Sequence, residues 1–136
     1  MKTTILVAFI SLMALGCGSS GDPNMVPIRG SVSYQGAPVD DGVVRFVPSA
    51  GVKAPVRVAQ VVDGAYELDG RFALSPGTYQ IQIEGFEGED MPVSEPGQVV
   101  ESRRQILPEQ YNVKSKIDPL TVNTGDAALK KDFELQ

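Results

Sequence analysis

Residues 78–84, with the sequence TYQIQIE, alternate between apolar and polar side chains. An extended backbone places successive side chains on opposite faces, so Tyr79, Ile81 and Ile83 share one face. The polar side chains between them share the other face. The pattern predicts a β-strand with one buried and one solvated face, which is typical of an antiparallel sheet.

Shorter segments with strand character lie on both sides of this one, separated by turn signals such as Asp63-Gly64, a pair favoured in two-residue hairpins. Most of these segments alternate between apolar and polar residues. Residues 56–62 are apolar on both faces, so their buried face is harder to assign. Residues 99–107 are expected to form one or two helical turns that Pro108 ends. Seven short strands with almost no helix predict an all-β domain, a seven-stranded antiparallel two-sheet sandwich. The other predicted strands are residues 26–34, 43–47, 56–62, 65–68, 120–122 and 132–135.

Six motifs in these segments together carry a family resemblance. The chain resembles the carboxypeptidase regulatory-like, or transthyretin-like, domain of small bacterial lipoproteins over nearly all of residues 26–136. The resemblance implies a seven-stranded two-sheet sandwich without catalytic machinery of its own. The motifs are IRGSVSYQGAPV at 28–39, GVVRFVP at 42–48, DGAY at 63–66, PGTY at 76–79, LPEQYN at 107–112 and FEL at 133–135.

A short apolar leader precedes the domain. Lys2 is its one charge, and the apolar stretch over residues 5–16 holds 12 residues, whereas a spanning helix needs about 20. A charged start, a short apolar core and a small-residue exit predict a signal peptide. The sequence ALGC at 14–17 resembles the lipobox of bacterial lipoproteins. This resemblance implies cleavage after Gly16 and lipid modification of Cys17, with acyl chains such as palmitate that hold the protein on a membrane.

The chain is therefore expected to have three parts: a lipoprotein signal peptide at 1–16, a lipidated cysteine with a flexible tether at 17–25, and the β-sandwich domain at 26–136. Glycine and serine in the tether favour flexibility. These features predict a lipid-anchored protein of the cell envelope. Gly18 rather than aspartate follows Cys17, which by resemblance to lipoprotein sorting signals favours the outer membrane or the periplasmic face.

Composition excludes several classes of function. Removing the leader takes away one of the 12 basic residues and none of the 17 acidic ones, which leaves a formal charge of −6. That charge disfavours nucleic acid as a partner, because phosphates require a basic face. The chain holds no histidine, so nucleophile–histidine catalysis and histidine-ligated zinc are excluded. Cys17 cannot act as a nucleophile once acylated. We expect a protein that is not an enzyme and uses no cofactor.

Three residues are candidates for binding. Tyr111, beside Pro108 and Asn112, is the aromatic residue most expected to be exposed. Its alternative role is structural, as a corner tyrosine whose hydroxyl bonds back to the chain. Arg103 and Arg104 form a basic pair able to grip a carboxylate or a phosphate, and the alternative is that both simply face water.

Acidic residues define two weaker candidates. Residues 84–90 hold four carboxylates but do not match the ligand spacing of a twelve-residue Ca²⁺ loop. The sequence therefore predicts no metal site and favours a solvated acidic loop, while cation binding at 84–90 stays open. Asp40 and Asp41 stand before Gly42 in a turn, where aspartate commonly makes local hydrogen bonds.

These observations favour a non-catalytic module that binds another envelope protein or has a structural role, with an open sheet edge as the contact surface. A carbohydrate-binding module with a glycan partner is the first alternative. A carboxylate-based hydrolase of envelope polysaccharide is the second, and it requires two acids roughly 5–10 Å apart in a cleft.

Overall fold

A computed structural model of the chain describes residues 22, 24–88 and 103–136. Half of the described residues belong to β-structure, and there is almost no helix among them. In that part of the chain no helix is long and apolar enough to cross a membrane. The predicted leader and Cys17, the acidic residues at 89 and 90, and residues 99–102 lie outside the described residues.

Ten strands and two 3₁₀ turns make up the described chain. The 3₁₀ turns are Gly70–Phe72 and Glu109–Tyr111. The strands are β1 (Ile28–Tyr34), β2 (Ala37–Pro38), β3 (Asp41–Pro48), β4 (Arg57–Val62), β5 (Ala65–Leu68), β6 (Gly77–Glu87), β7 (Arg104–Gln105), β8 (Leu120–Val122), β9 (Leu129–Lys130) and β10 (Phe133–Leu135).

The strands form one curled, largely antiparallel sheet. A continuous path of paired strands runs β10-β1-β5-β4-β3-β6-β7, while β2 and β9 also pair with β1, and β8 pairs with β6. The first half of β1 pairs with β5 and β9, and its second half pairs with β2 and β10. The pairings of β1 with β9 and β10 are parallel, and the others are antiparallel.

The predicted all-β class is confirmed, and each of the seven predicted segments contains a strand. The count of seven is too low. The predicted antiparallel character is confirmed for most pairings, while β9 and β10 pair with β1 in parallel. The missed strands β2, β7 and β9 are two residues long, which is too short for an alternation to be read. The helical turns predicted for residues 99–107 are wrong where that segment is described, because Arg104 and Gln105 pair with β6 instead. A 3₁₀ turn begins only after Pro108.

The core lies on the inward face of the curled sheet, where the period of two predicts it. Tyr79, Ile81 and Ile83 of β6 are fully buried, as are Val44 and Phe46 of the neighbouring β3. Burial of these side chains is the main stabilising contribution, at roughly 1.5–3 kcal/mol for a large apolar side chain. The outward face, by contrast, carries mainly polar residues along β6.

Asp132 fastens the chain that leads into β10 onto β1. One of its carboxylate oxygens accepts hydrogen bonds from the backbone N–H of Ser31 at 2.9 Å and from the Ser31 hydroxyl at 3.0 Å. These bonds, and the nearby Lys130 ammonium, lower the pKa of Asp132 below its ordinary value of 3.8. The carboxylate contributes stability only while it is ionised.

A pH-dependent stability difference follows for Asp132→Asn. Because the pKa is lower in the folded than in the unfolded state, the stabilisation is present above about pH 4 and is lost as the pH falls through the folded-state pKa. We expect the urea midpoint of the variant to lie below that of the parent at pH 7, and the difference between the two midpoints to shrink as the pH falls below the ordinary aspartate pKa of 3.8. A midpoint difference that stays constant over this range would contradict the assignment.

Candidate functional site

The strands β4 and β5 are joined by a tight hairpin and then separate. Asp63 and Gly64 both have positive φ angles, 50° and 78°, as a type I′ turn requires. The register pairs between the strands are Val62↔Ala65 and Val61↔Tyr66, and they end there. In contrast, β4 remains paired with β3 along its whole length, from Val62 to Arg57. The first four residues of β4 therefore have register partners on one side only in the described structure.

The backbone N–H and C=O groups of β4 point alternately toward β5 and toward β3 from one residue to the next. Val62 and Ala65 flank the two-residue turn, so their backbone groups point toward each other. Val58 lies an even number of residues from Val62, so its N–H and C=O point to the β5 side as well, past the point where the strands separate. Ala59 points to β3, with Val44 as its register partner. Among the described residues no strand pairs with the β5 side of residues 57–60, which thus present an edge of the kind that accepts an added strand.

Exposed apolar side chains surround this edge. The exposed fractions are 50 % for Val56, 45 % for Val58 and 50 % for Phe72, which belongs to the 3₁₀ turn after β5. Between the separating strands lies a cleft of about 310 Å³, which we call the β4–β5 cleft. Val58 and Phe72 line it together with the buried Ala59 and Leu68. The surface therefore combines an open strand edge with apolar contact area.

Two carboxylates stand at the same cleft. Glu67 of β5 and Asp69, which follows it, are exposed and complete the lining together with Gln60. No ion pair involves either of these carboxylates within the described part of the chain. A second hollow of about 400 Å³ shares Gln60 and Glu67 with the cleft and extends toward Arg29 of β1. Two adjoining hollows therefore lie on the outer surface beside the junction of β4 and β5.

The hydroxyl of Tyr111 is engaged in hydrogen bonds to the backbone. Its hydroxyl donates a hydrogen bond to the backbone carbonyl of Gln136 and accepts one from the Gln136 N–H at 3.0 Å. Its ring meets Tyr34 edge to face, with 6.4 Å between the centroids. The hydroxyl therefore bonds back to the backbone, as the structural alternative predicts. Tyr111 also lines a groove of about 380 Å³ beside β10, which is polar and of mixed charge.

Arg103 and Arg104 are not brought together as one anion site. The Arg103 guanidinium forms an ion pair with Asp41 and lies over the Phe86 ring at 4.6 Å from its centroid. Arg104 forms an exposed ion pair with Glu87 at 2.6 Å. Arg103, just before β7, is thus linked to β3, and Arg104 links β7 to β6. Each arginine already has a carboxylate partner.

The acids that the sequence singles out are dispersed. Glu84 pairs with Arg45 of the neighbouring strand at 2.6 Å, and Glu87 pairs with Arg104. Asp41 is held by Arg103, and the backbone carbonyl of Asp40 accepts the N–H of Asp63. Within residues 22, 24–88 and 103–136, no group of three acidic side chains is arranged to hold a metal ion.

The inward tyrosines have structural roles. The Tyr66 hydroxyl donates to the Lys131 carbonyl at 2.7 Å, and burial, with the nearby Asp132 charge, raises the pKa of Tyr66. The Tyr79 hydroxyl donates to the Ser75 carbonyl four residues upstream at 2.8 Å, the arrangement of a corner tyrosine. Tyr79 thus makes the kind of bond to the nearby chain that the sequence proposes for Tyr111.

The residues of the open edge are those that sequence reasoning missed. One signal was present, because residues 56–62 are apolar on both faces and so must expose some apolar side chains wherever one face is solvated.

No family model, no curated protein and no solved structure matches this chain.

Proposed function

We propose that the protein is a lipid-anchored module of the cell envelope that binds another envelope protein by accepting an extended segment at the free edge of β4. The observation that carries the proposal is the early end of the β4–β5 ladder, which leaves residues 57–60 paired on the β3 side alone in the described part of the chain. Strand addition would supply main-chain hydrogen bonds there, and the exposed Val58 and Phe72 would supply apolar contact.

The curled sheet supports a further structural proposal, that the domain is a transthyretin-like two-layer sandwich. The division of β1 is the supporting feature, since residues 28–31 pair with β5 and residues 32–34 pair with β10 and β2. A strand that changes partners at a glycine is a usual way to connect two layers. Gly30 lies two residues before Val32, where the pairing with β10 begins.

Anchoring and docking are separate parts of the proposal and are tested separately. For anchoring, the lipobox resemblance predicts that the mature N-terminal peptide begins at Cys17 and carries acyl mass. Mass spectrometry of protein purified from membranes measures this, with Cys17→Ser as the control that should lack acylation. An unmodified Cys17 in membrane-derived protein would contradict anchoring and leave docking intact.

Docking is tested by Val58→Pro. Proline removes the N–H that points to the free side of β4, while the N–H groups that point to β3 remain, so the ladder to β3 should persist. We expect a photo-cross-linker placed at Phe72 in intact cells to give a discrete product that Val58→Pro abolishes and Val58→Thr retains.

A cross-linker at Val113, which is 70 % exposed and lies outside the cleft, is the positional control and should not give that product. Urea midpoints of the two Val58 variants show whether both remain folded. Docking at β4 would be contradicted if a folded Val58→Pro variant gave the same yield of cross-linked product. It would also be contradicted if the cross-linker at Val113 gave the product and the cross-linker at Phe72 did not.

A further inference from the structure

The proposed docking site also indicates which side chain its partner delivers, an inference that rests on the proposed function. We propose that the extended partner segment places a lysine or arginine side chain in the β4–β5 cleft. The cleft combines apolar walls with an acidic rim, and a long basic side chain matches both at once.

The walls and floor of the cleft suit an aliphatic stem. Val58 and Phe72 are half exposed on its two sides, and Ala59 and Leu68, which are 1 % and 6 % exposed, are its buried members. Lysine and arginine bury their methylene chains along such surfaces while the charged head stays near water.

The rim of the cleft carries the complementary charge. Glu67 and Asp69 are its charged lining residues, and none of the seven described residues that line it is a lysine or an arginine. The neighbouring Arg71 lies over the Phe72 ring, 4.7 Å from its centroid, and forms no ion pair with either carboxylate in the described structure. A basic head group from the partner would therefore meet two carboxylates that have no ion-pair partner of their own among the described residues.

The alternation of side chains along the added strand determines where the basic side chain lies. A strand paired with β4 alternates its side chains between the two faces of the sheet. Side chains on the outward face lie beside Val58, and the next position on that face along the strand lies about 7 Å away. An alternating segment with a central basic residue flanked by apolar ones fits the edge, so a short Thr-Val-Lys-Val-Thr peptide is a suitable probe.

The test measures binding of that peptide, capped at both ends and fluorescently labelled, to the full-length protein purified in detergent with its native N-terminus. At about 50 mM salt, the lysine peptide should bind about fivefold tighter than an otherwise identical norleucine peptide, as expected for a partly exposed charge between two carboxylates. The double variant Glu67→Gln/Asp69→Asn should reduce this ratio to about one. The matched control Asp118→Asn/Glu134→Gln, which removes two carboxylates from the groove beside β10, should leave it unchanged.

The outcomes separate this inference from the proposed function. Equal affinity for the two peptides, no measurable binding of the lysine peptide, or a ratio that the Glu67/Asp69 variant does not change would overturn the basic-side-chain inference. Docking itself depends on the cross-link at Phe72 and its loss in Val58→Pro. A cross-link that survives Glu67→Gln/Asp69→Asn but not Val58→Pro would leave strand addition standing and refute the charge preference.

Discussion

Replacing Phe46 with alanine should lower the free energy of unfolding by about 3–5 kcal/mol, the range for truncation of a buried phenylalanine. Phe46 is fully buried in β3, between β4 and β6, and its ring lies 6.2 Å from that of Tyr66. The truncation removes buried apolar area and leaves a cavity where the neighbouring strands cannot collapse independently. Urea-induced unfolding monitored by circular dichroism measures the change.

Phe72→Ala is the matched control for Phe46→Ala. The same atoms are removed, but from a side chain that is half exposed at the β4–β5 cleft, so we expect a loss of less than about 1 kcal/mol. Comparable losses from the two substitutions would contradict the assignment of Phe46 to the core and of Phe72 to the surface.

Replacing Gly30 with alanine should have the second-largest effect, a loss of about 3 kcal/mol, the upper end of the range for overpacking a tightly packed site. A Cβ atom at Gly30 would lie 1.7 Å from the carbonyl oxygen of Lys131, which is backbone and cannot rotate away. That carbonyl also accepts the Tyr66 hydroxyl bond, and the Lys131 N–H donates to the Arg29 carbonyl. Relief of the clash would therefore displace the chain leading into β10.

Gly51→Ala separates the clash at Gly30 from the general effect of adding a methyl group to glycine. Gly51 has a φ of 88°, and a Cβ atom there would meet no other atom within 4 Å, so backbone strain alone should cost about 1 kcal/mol. Thermal unfolding of the two variants gives the comparison. A Gly30→Ala variant as stable as Gly51→Ala would show that the approach of Lys131 to β1 is looser than described.

The period of two in the sequence correctly identifies the strands that carry the core. In β6, alternation alone assigns Tyr79, Ile81 and Ile83 to the buried face, because one face of an antiparallel sheet is solvated. The same reasoning finds β10 but not its partner, and it misses β9, since both strands pair in parallel with β1, about 100 residues away. Such pairings are decided by long-range packing, which a local pattern does not record.

The candidate site is only partly visible in the sequence. The pair Asp63-Gly64 predicts the hairpin, and the structure contains it, but no local signal shows that the two strands separate after two register pairs. The role of Tyr111 also depends on a distant part of the chain. Its hydroxyl bonds to Gln136, 25 residues away, and this bond can be seen only in the folded chain. Arg103 and Arg104 likewise find their acidic partners through the pairing of strands that are distant in sequence.

Amide hydrogen exchange at two adjacent residues tests the free edge of β4 most directly. In the isolated protein, the Val58 N–H points away from β3 and should exchange rapidly, whereas the Ala59 N–H points toward Val44 of β3 and should be protected. We expect the two rates to differ by at least about tenfold, read residue by residue by NMR. Equal protection of both amides in the monomer would show that the edge is already covered and would contradict strand addition at β4.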